Sequence, residues 1–260
     1  MKRIASNIFN VDLYTDHAES LLRSFKLADG PRPAPHITWC LEKVLSYLQT
    51  IHTEANGTLK TGKCAFLLQL ALGCRISELT SLSRNLPFMH FLPGGQVRIT
   101  PDSRLLQRHK GSGLKKHERC DKLDQPIIIH PLFLADGKTS SSLCPIHNLK
   151  MYMDTPSDPS DTLSQLFVHH VSGKSLTISQ LRRYIVTIIR NACPNSFPKT
   201  HDIRKVASSV SLLSNMTLDE ISKRTGWSQA KTFWTHYNVS IKNLRSQCVT
   251  MGERNSLPRM

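Results

Sequence analysis

Apolar residues along this chain fall mostly at helical spacing, with one interval that switches to strand alternation. Residues 16–27 (DHAESLLRSFKL) predict a short amphipathic helix, and GPRPAP (30–35), with its glycine and prolines, predicts a linker after it. Ile37, Leu41, Val44, Leu45 and Leu48 recur at helical spacing up to Thr50. ANGT (55–58) reads as a turn, and 61–72 (TGKCAFLLQLAL), apolar almost all round, as a buried helix. After Leu82 the pattern changes. GGQVRIT (94–100) alternates and QPIIIHP (125–131) is a β-branched run, so both predict strands. Between them, 104–122 (RLLQRHKGSGLKKHERCDK) is basic and glycine-bearing. It suits a long hairpin loop, either a solvated connection or a finger laid against phosphate.

Helical spacing returns at 145–153, followed by the polar loop TPSDPSD (155–161) and a short apolar edge in LSQLFVHH (163–170). Residues 177–192 form a strong amphipathic pattern: Thr177 can cap it, and Leu181, Ile185, Ile188 and Ile189 share a face. CPNSFPK (193–199) breaks the chain ahead of HDIRKVASS (201–209), where a dense polar cluster opens an otherwise apolar helix and Asp202 and Lys205 are expected to face solvent. Thr217 and Glu220 make a capping box, Gly226 ends that helix, and Ser228 is the next cap. There are no internal repeats. The expected fold is α+β and mainly α, with helices around a small antiparallel sheet.

Charge narrows the partners. The 260 residues carry 34 Lys and Arg against 19 Asp and Glu, a net charge of +15, which favours polyanions and above all nucleic acid. The hydrophobic fraction of 39% suffices for a real core in one large domain or two small ones. No apolar run reaches the ~18 residues of a membrane span, and the start, MKRIASNIFNVDLY, has no apolar stretch typical of a secretory signal. Seven cysteines with no C-x-x-C argue against a disulfide framework or a zinc ribbon and fit a reducing compartment. Cys144 and His147 in CPIH have ligand-like spacing but no second pair, so no metal and no other cofactor is expected.

Several chemistry-bearing residues stand in apolar or well-capped settings. Arg75 follows the buried helix in GCRISEL. His201 and Arg204 lie at i and i+3, so both can reach one point. Trp227 follows Gly226, Tyr237 closes FWTHY, and Lys110 lies in the basic loop. In this order and spacing, R-x-x-E-L at Arg75, a loop lysine, H-x-x-R at 201–204, Gly-Trp at 226–227 and a tyrosine about ten residues on, the chain resembles the tyrosine recombinases, or phage integrases. The resemblance covers roughly residues 36–240. LPFMHFLPGGQVRITPDSRLL (86–106) is similar in detail to recombinases of DIRS- or Crypton-type mobile elements.

That resemblance implies a catalytic domain at 36–240, a remnant of a core-binding domain plus linker at 1–35, and a C-terminal tail at 241–260. It implies strand breakage and rejoining through a 3′-phosphotyrosine link, with no ATP and no metal. Tyr237 suits the nucleophile, whose phenol needs help near neutral pH. Arg75 and Arg204 offer planar cationic forks to phosphate. Trp227 offers an indole N–H, and His201 a proton site near neutrality. Lys110 suits the general acid, although Lys115, Lys116 and Lys122 share its loop. Glu78, one turn from Arg75, suits a residue that holds the guanidinium. Arg108, Lys115, Lys116, Lys199 and Lys205 are expected at the DNA. Implied partners are double-stranded DNA and further copies of the chain, as a tetramer on paired sites, with no membrane. The implied location is the nucleus if the source is eukaryotic, otherwise the cytoplasm. A catalytically silent DNA-binding protein of the same fold and a topoisomerase IB-like enzyme fit the same residues.

Overall fold

The computed structural model describes residues 37–51, 56–102, 104–105, 126–132, 142–154, 164–214, 216–225 and 231–237. The expected helix at 16–27, the GPRPAP linker, most of the basic loop, TPSDPSD and the tail after Tyr237 lie outside them.

Helix α1 (Leu41–Thr50) buries Leu41, Val44 and Leu48, the stripe its spacing predicts. Helix α2 (Gly57–Leu72) begins at Gly57 rather than Thr61, because the Asn56 side chain accepts from the Thr58 N–H at 2.7 Å and caps it. The expected turn is therefore the helix's first turn. α2 is the central post and packs against three later helices, α4 (Pro145–Met153), α5 (Ile178–Ala192) and α6 (Thr200–Leu213). Its approach to α5 is close at Gly62, where a Cβ would lie 2.8 Å from Ile188 Cγ1 and 3.0 Å from the Tyr184 carbonyl. Gly73 ends α2 at φ +60°, a left-handed cap that favours glycine. The short α3 (Ile76–Thr80) follows directly, with Arg75 as its N-cap residue.

Strands β1 (Met89–Phe91), β2 (Val97–Ile99) and β3 (Ile127–Ile129) form one antiparallel sheet in that order. Val97 opposes both Phe91 and Ile129, and the buried Met89, Val97, Ile99 and Ile129 face the core. β2 and β3 are the two strands expected from the alternation. β1 was not expected: three residues next to LPGG carry too little alternation to register.

Helix α4 (Pro145–Met153) matches its predicted bounds. α5 (Ile178–Ala192) starts at the expected cap, where Thr177 and Gln180 close a capping box. Leu181, Ile185, Ile188 and Ile189 are all buried on its inner face. α6 (Thr200–Leu213), α7 (Leu218–Thr225) and α8 (Lys231–His236) are the last helices among the described residues. Thr217 and Glu220 pair as predicted, at 2.8 Å between Oγ1 and the carboxylate.

The main core joins α1, α2, the sheet, α4, α5 and, through Ile203 and Val206, the first half of α6. A small second cluster holds Ile221, Phe233 and Tyr237, with Leu212, Met216 and Leu218 against it. α6 spans both, and its polar N-terminal face lies at their seam. Among the described residues no helix is long and apolar enough to cross a membrane.

Candidate active site

The site starts at the α2–α3 junction. The Glu78 carboxylate accepts the Arg75 backbone N–H at 2.7 Å and the Arg75 Nη1 at 2.9 Å, so one acid caps α3 and fixes the guanidinium. The same carboxylate accepts Arg204 Nη1 at 3.4 Å, from α6, 126 residues further along the chain. Glu78 is 7% exposed and Arg204 0%, so this is a buried ion pair shared by two cations. Arg75 keeps 36% of its side-chain surface open, which leaves its fork accessible to an anion.

Arg204 has a further anchor. Its Nη2 donates to the Thr225 carbonyl at the end of α7. A helix C-terminus leaves carbonyls without intrahelical partners and carries negative potential, so it suits a guanidinium. Burial lowers the Arg204 pKa and Glu78 opposes that. A guanidinium stays charged under such conditions.

Tyr237, buried at 5% exposure, completes the group. The Arg204 guanidinium carbon lies 5.7 Å from the centre of its ring, and the His201 ring centre lies 5.4 Å from it. The predicted i, i+3 pair therefore meets at the predicted tyrosine, all on one chain. Ser209 Oγ, one turn beyond Arg204 on α6, donates to the Tyr237 carbonyl at 2.9 Å and ties the end of α8 down. Neither the Ser209 contact nor the Thr225 contact has a signal in the sequence beyond a polar residue in an apolar run and a helix end.

His201 is among the exposed residues. Partial burial of its imidazole lowers its pKa, and the nearby Lys205, Arg204 and Arg75 push the same way against Asp202. The neutral ring therefore predominates at pH 7. The sign for stability follows: the unfolded chain binds the proton more tightly, so stability rises as pH climbs from below the folded pKa to the unfolded value near ~6.5. His201→Gln should flatten the thermal midpoint over that window. An imidazole NMR titration showing a pKa at or above the free value would overturn the assignment.

Other expected residues land differently. Asp202 and Lys205 read as solvent-facing, yet Asp202 is only 4% exposed. It accepts the Lys199 backbone N–H at 3.2 Å and pairs with Lys205 Nζ at 3.1 Å, because the first turn of α6 needs an acceptor for its free N–H groups. Lys205 is thus partly engaged, while Lys199 is exposed. Lys110, Arg108, Lys115, Lys116 and Trp227 lie outside the described residues. Burial pushes the Cys74 thiol, next to Arg75, well above its usual range, which disfavours a thiolate nucleophile there. Cys64, Cys74, Cys144 and Cys193 are not in disulfides. Among the described residues no group of His, Cys, Asp or Glu could hold a metal ion.

The small antiparallel sheet within a mainly helical body matches the catalytic fold of the tyrosine recombinases. Solved structures agree on that fold. The XerH site-specific recombinase in a pre-cleavage complex with difH substrate superposes with a TM-score of 0.51 at 15% identity, over 85% of this chain and 54% of that one. The XerA recombinase gives 0.51 at 15% identity, over 88% of this chain and 68% of that one. The chain thus spans about half the length of the XerH protein it resembles. No protein-family model matches the sequence, and no curated protein sequence matches it either.

Proposed function

We propose that this chain is the catalytic domain of a site-specific DNA recombinase or integrase that cuts and rejoins strands through a 3′-phosphotyrosine intermediate. The observation that carries the reading is the meeting of Arg204 and His201 at Tyr237, with Arg75 joined to Arg204 through the Glu78 carboxylate, on a strongly basic chain. Arg75 and Arg204 hold the non-bridging oxygens of the scissile phosphate as charge develops on them. The Tyr237 phenol oxygen bonds to phosphorus, and the bond from phosphorus to the 5′ oxygen breaks. Neutral His201 takes the phenol proton, and Lys110 gives one to the leaving 5′ oxygen. Trp227 adds a donor to the phosphate. The phosphotyrosine link keeps the energy of the broken bond, so a 5′ hydroxyl reverses the step without ATP.

The wider proposal includes several elements that rest on the sequence resemblance. Residues 1–35 end a core-binding domain, and the enzyme acts as a tetramer on paired sites. It derives from a DIRS- or Crypton-type mobile element and works in the nucleus. The XerH neighbour, solved with its difH substrate, supports a bound substrate for this fold.

The test uses a duplex nicked next to the scissile phosphate, so that the freed 5′ fragment diffuses away. The unaltered protein should form an adduct that survives denaturation, with the DNA mapped by mass spectrometry to the peptide bearing Tyr237. Salt-dependent DNA binding without any adduct would support the silent DNA-binding protein instead. Relaxation of supercoils without site preference would support the topoisomerase-like enzyme.

A further inference from the structure

We infer that Gln69 is a positioning residue that sets Arg75 and His201 relative to each other through the backbone carbonyls preceding them. The inference rests on the functional reading above. Gln69 lies in the last turn of α2, wholly buried between Leu68 and Leu72 of the same apolar helix. Its Nε2 donates to the Cys74 carbonyl at 3.3 Å and to the Thr200 carbonyl at 3.2 Å. Cys74 is the residue before Arg75, and Thr200 is the residue before His201. One carboxamide thus joins two segments that are far apart in the chain and carry the cationic fork and the imidazole.

The orientation of the amide is dictated by its surroundings. Turned the other way, its oxygen would face two carbonyl oxygens. In the observed orientation Oε1 is buried without a hydrogen-bond partner. A buried polar atom in that state is unfavourable; an apolar side chain of similar volume would avoid that penalty but would take the donor from two buried carbonyls, so the two effects offset. Gln69 therefore adds little net stability, and what it supplies is geometry. Both tethered segments need it. Residues 73–75 are a short non-helical link between α2 and α3, and Thr200 opens α6 where the chain arrives from CPNSFPK. Helix ends fray, and catalytic groups displaced by about 1 Å lose roughly a hundredfold in rate.

Gln69→Met removes both donors while keeping the volume. Its thermal midpoint should stay close to that of the unaltered protein, because losing the orphaned Oε1 offsets losing the two donors, and it should bind duplex DNA with the same Kd. Its single-turnover rate on the nicked substrate should fall by roughly 10- to 100-fold. Gln69→Glu keeps the shape, but its buried carboxyl donates only when protonated, so its rate relative to the unaltered protein should rise as pH falls. A rate for Gln69→Met equal to that of the unaltered protein overturns the assignment and leaves the functional reading standing. A loss of rate matched by a lower thermal midpoint also overturns it, because a structural role then accounts for the effect. If the unaltered protein itself traps no DNA, the functional reading fails and the Gln69 assignment falls with it.

Discussion

Tyr237→Phe should fold, bind DNA as the unaltered protein does, and form no covalent adduct with the nicked substrate. The ring is what packs: it sits with Ile221 and Phe233 in the small second cluster, with the Arg204 guanidinium and the His201 ring against it. Phenylalanine keeps that packing and loses only the hydroxyl, so the stability change should stay within about 1 kcal/mol. Cleavage should drop on the order of 10⁴-fold or more, since losing an enzyme nucleophile removes the covalent route altogether. Denaturing gels of trapped complexes, read beside a melting curve and a binding isotherm, separate the two effects. The one-chain geometry also makes a prediction for mixtures. Tyr237→Phe mixed with Arg204→Gln should remain inactive, because each protomer then lacks one half of its own site. Restored cleavage in the mixture would show that the tyrosine acts on a neighbour's site. An adduct formed by Tyr237→Phe alone would remove the tyrosine from the mechanism.

Glu78→Gln should be the most damaging change to the protein as a whole. The carboxylate binds Arg204 in the interior and Arg75 at its edge, and it caps α3 through the Arg75 backbone N–H. Taking away the one negative charge leaves two neighbouring cations, one of them fully buried. Breaking a buried ion pair from one side costs about 3–5 kcal/mol. For a domain of this size that lowers the thermal midpoint by roughly 6–20 °C. The surviving folded fraction should cleave about a hundredfold more slowly, because both guanidinium groups lose their fixed geometry. Glu78→Asp keeps the charge with a shorter reach and should fall between the two. A Glu78→Gln protein with an unchanged melting curve would mean that the buried Arg204 is held by the Thr225 carbonyl and its other contacts, with Glu78 dispensable.

Legibility differed by element, and the reason is range. α1, α4 and α5 were readable because their apolar stripes repeat within a few residues and their starts carry local signals, such as Thr177 with Gln180. α2 was readable as a buried helix but not in its start, because the ANGT run resembles a turn until Asn56 is seen to cap the residues after it. β1 was missed because three residues beside a glycine pair show no period. Within the site, the order of Arg75, His201, Arg204 and Tyr237 was visible, as was the local Arg75–Glu78 pair. The assignment of Asp202 to solvent failed because a polar residue on an N-terminal turn looks the same in sequence whether it faces water or caps the backbone.

From its residues alone this chain is committed to a mainly helical fold around a small sheet, to a strong net positive charge, and to a particular order of charged and aromatic groups. These follow from periodicity, capping and net charge, all of which act over a few residues or over the whole composition. The fold alone brings about the sharing of Glu78 between Arg75 and Arg204, the full burial of Arg204 against the Thr225 carbonyl, and the tie from Ser209 to Tyr237. It also places the Gln69 carboxamide between the Cys74 and Thr200 carbonyls. Each of these needs a partner from a distant segment, and a buried charge or amide is tolerable only where that partner arrives. No local pattern records such an arrival, because the free energy that permits it belongs to the packed interior and not to the turn of chain on which the residue sits.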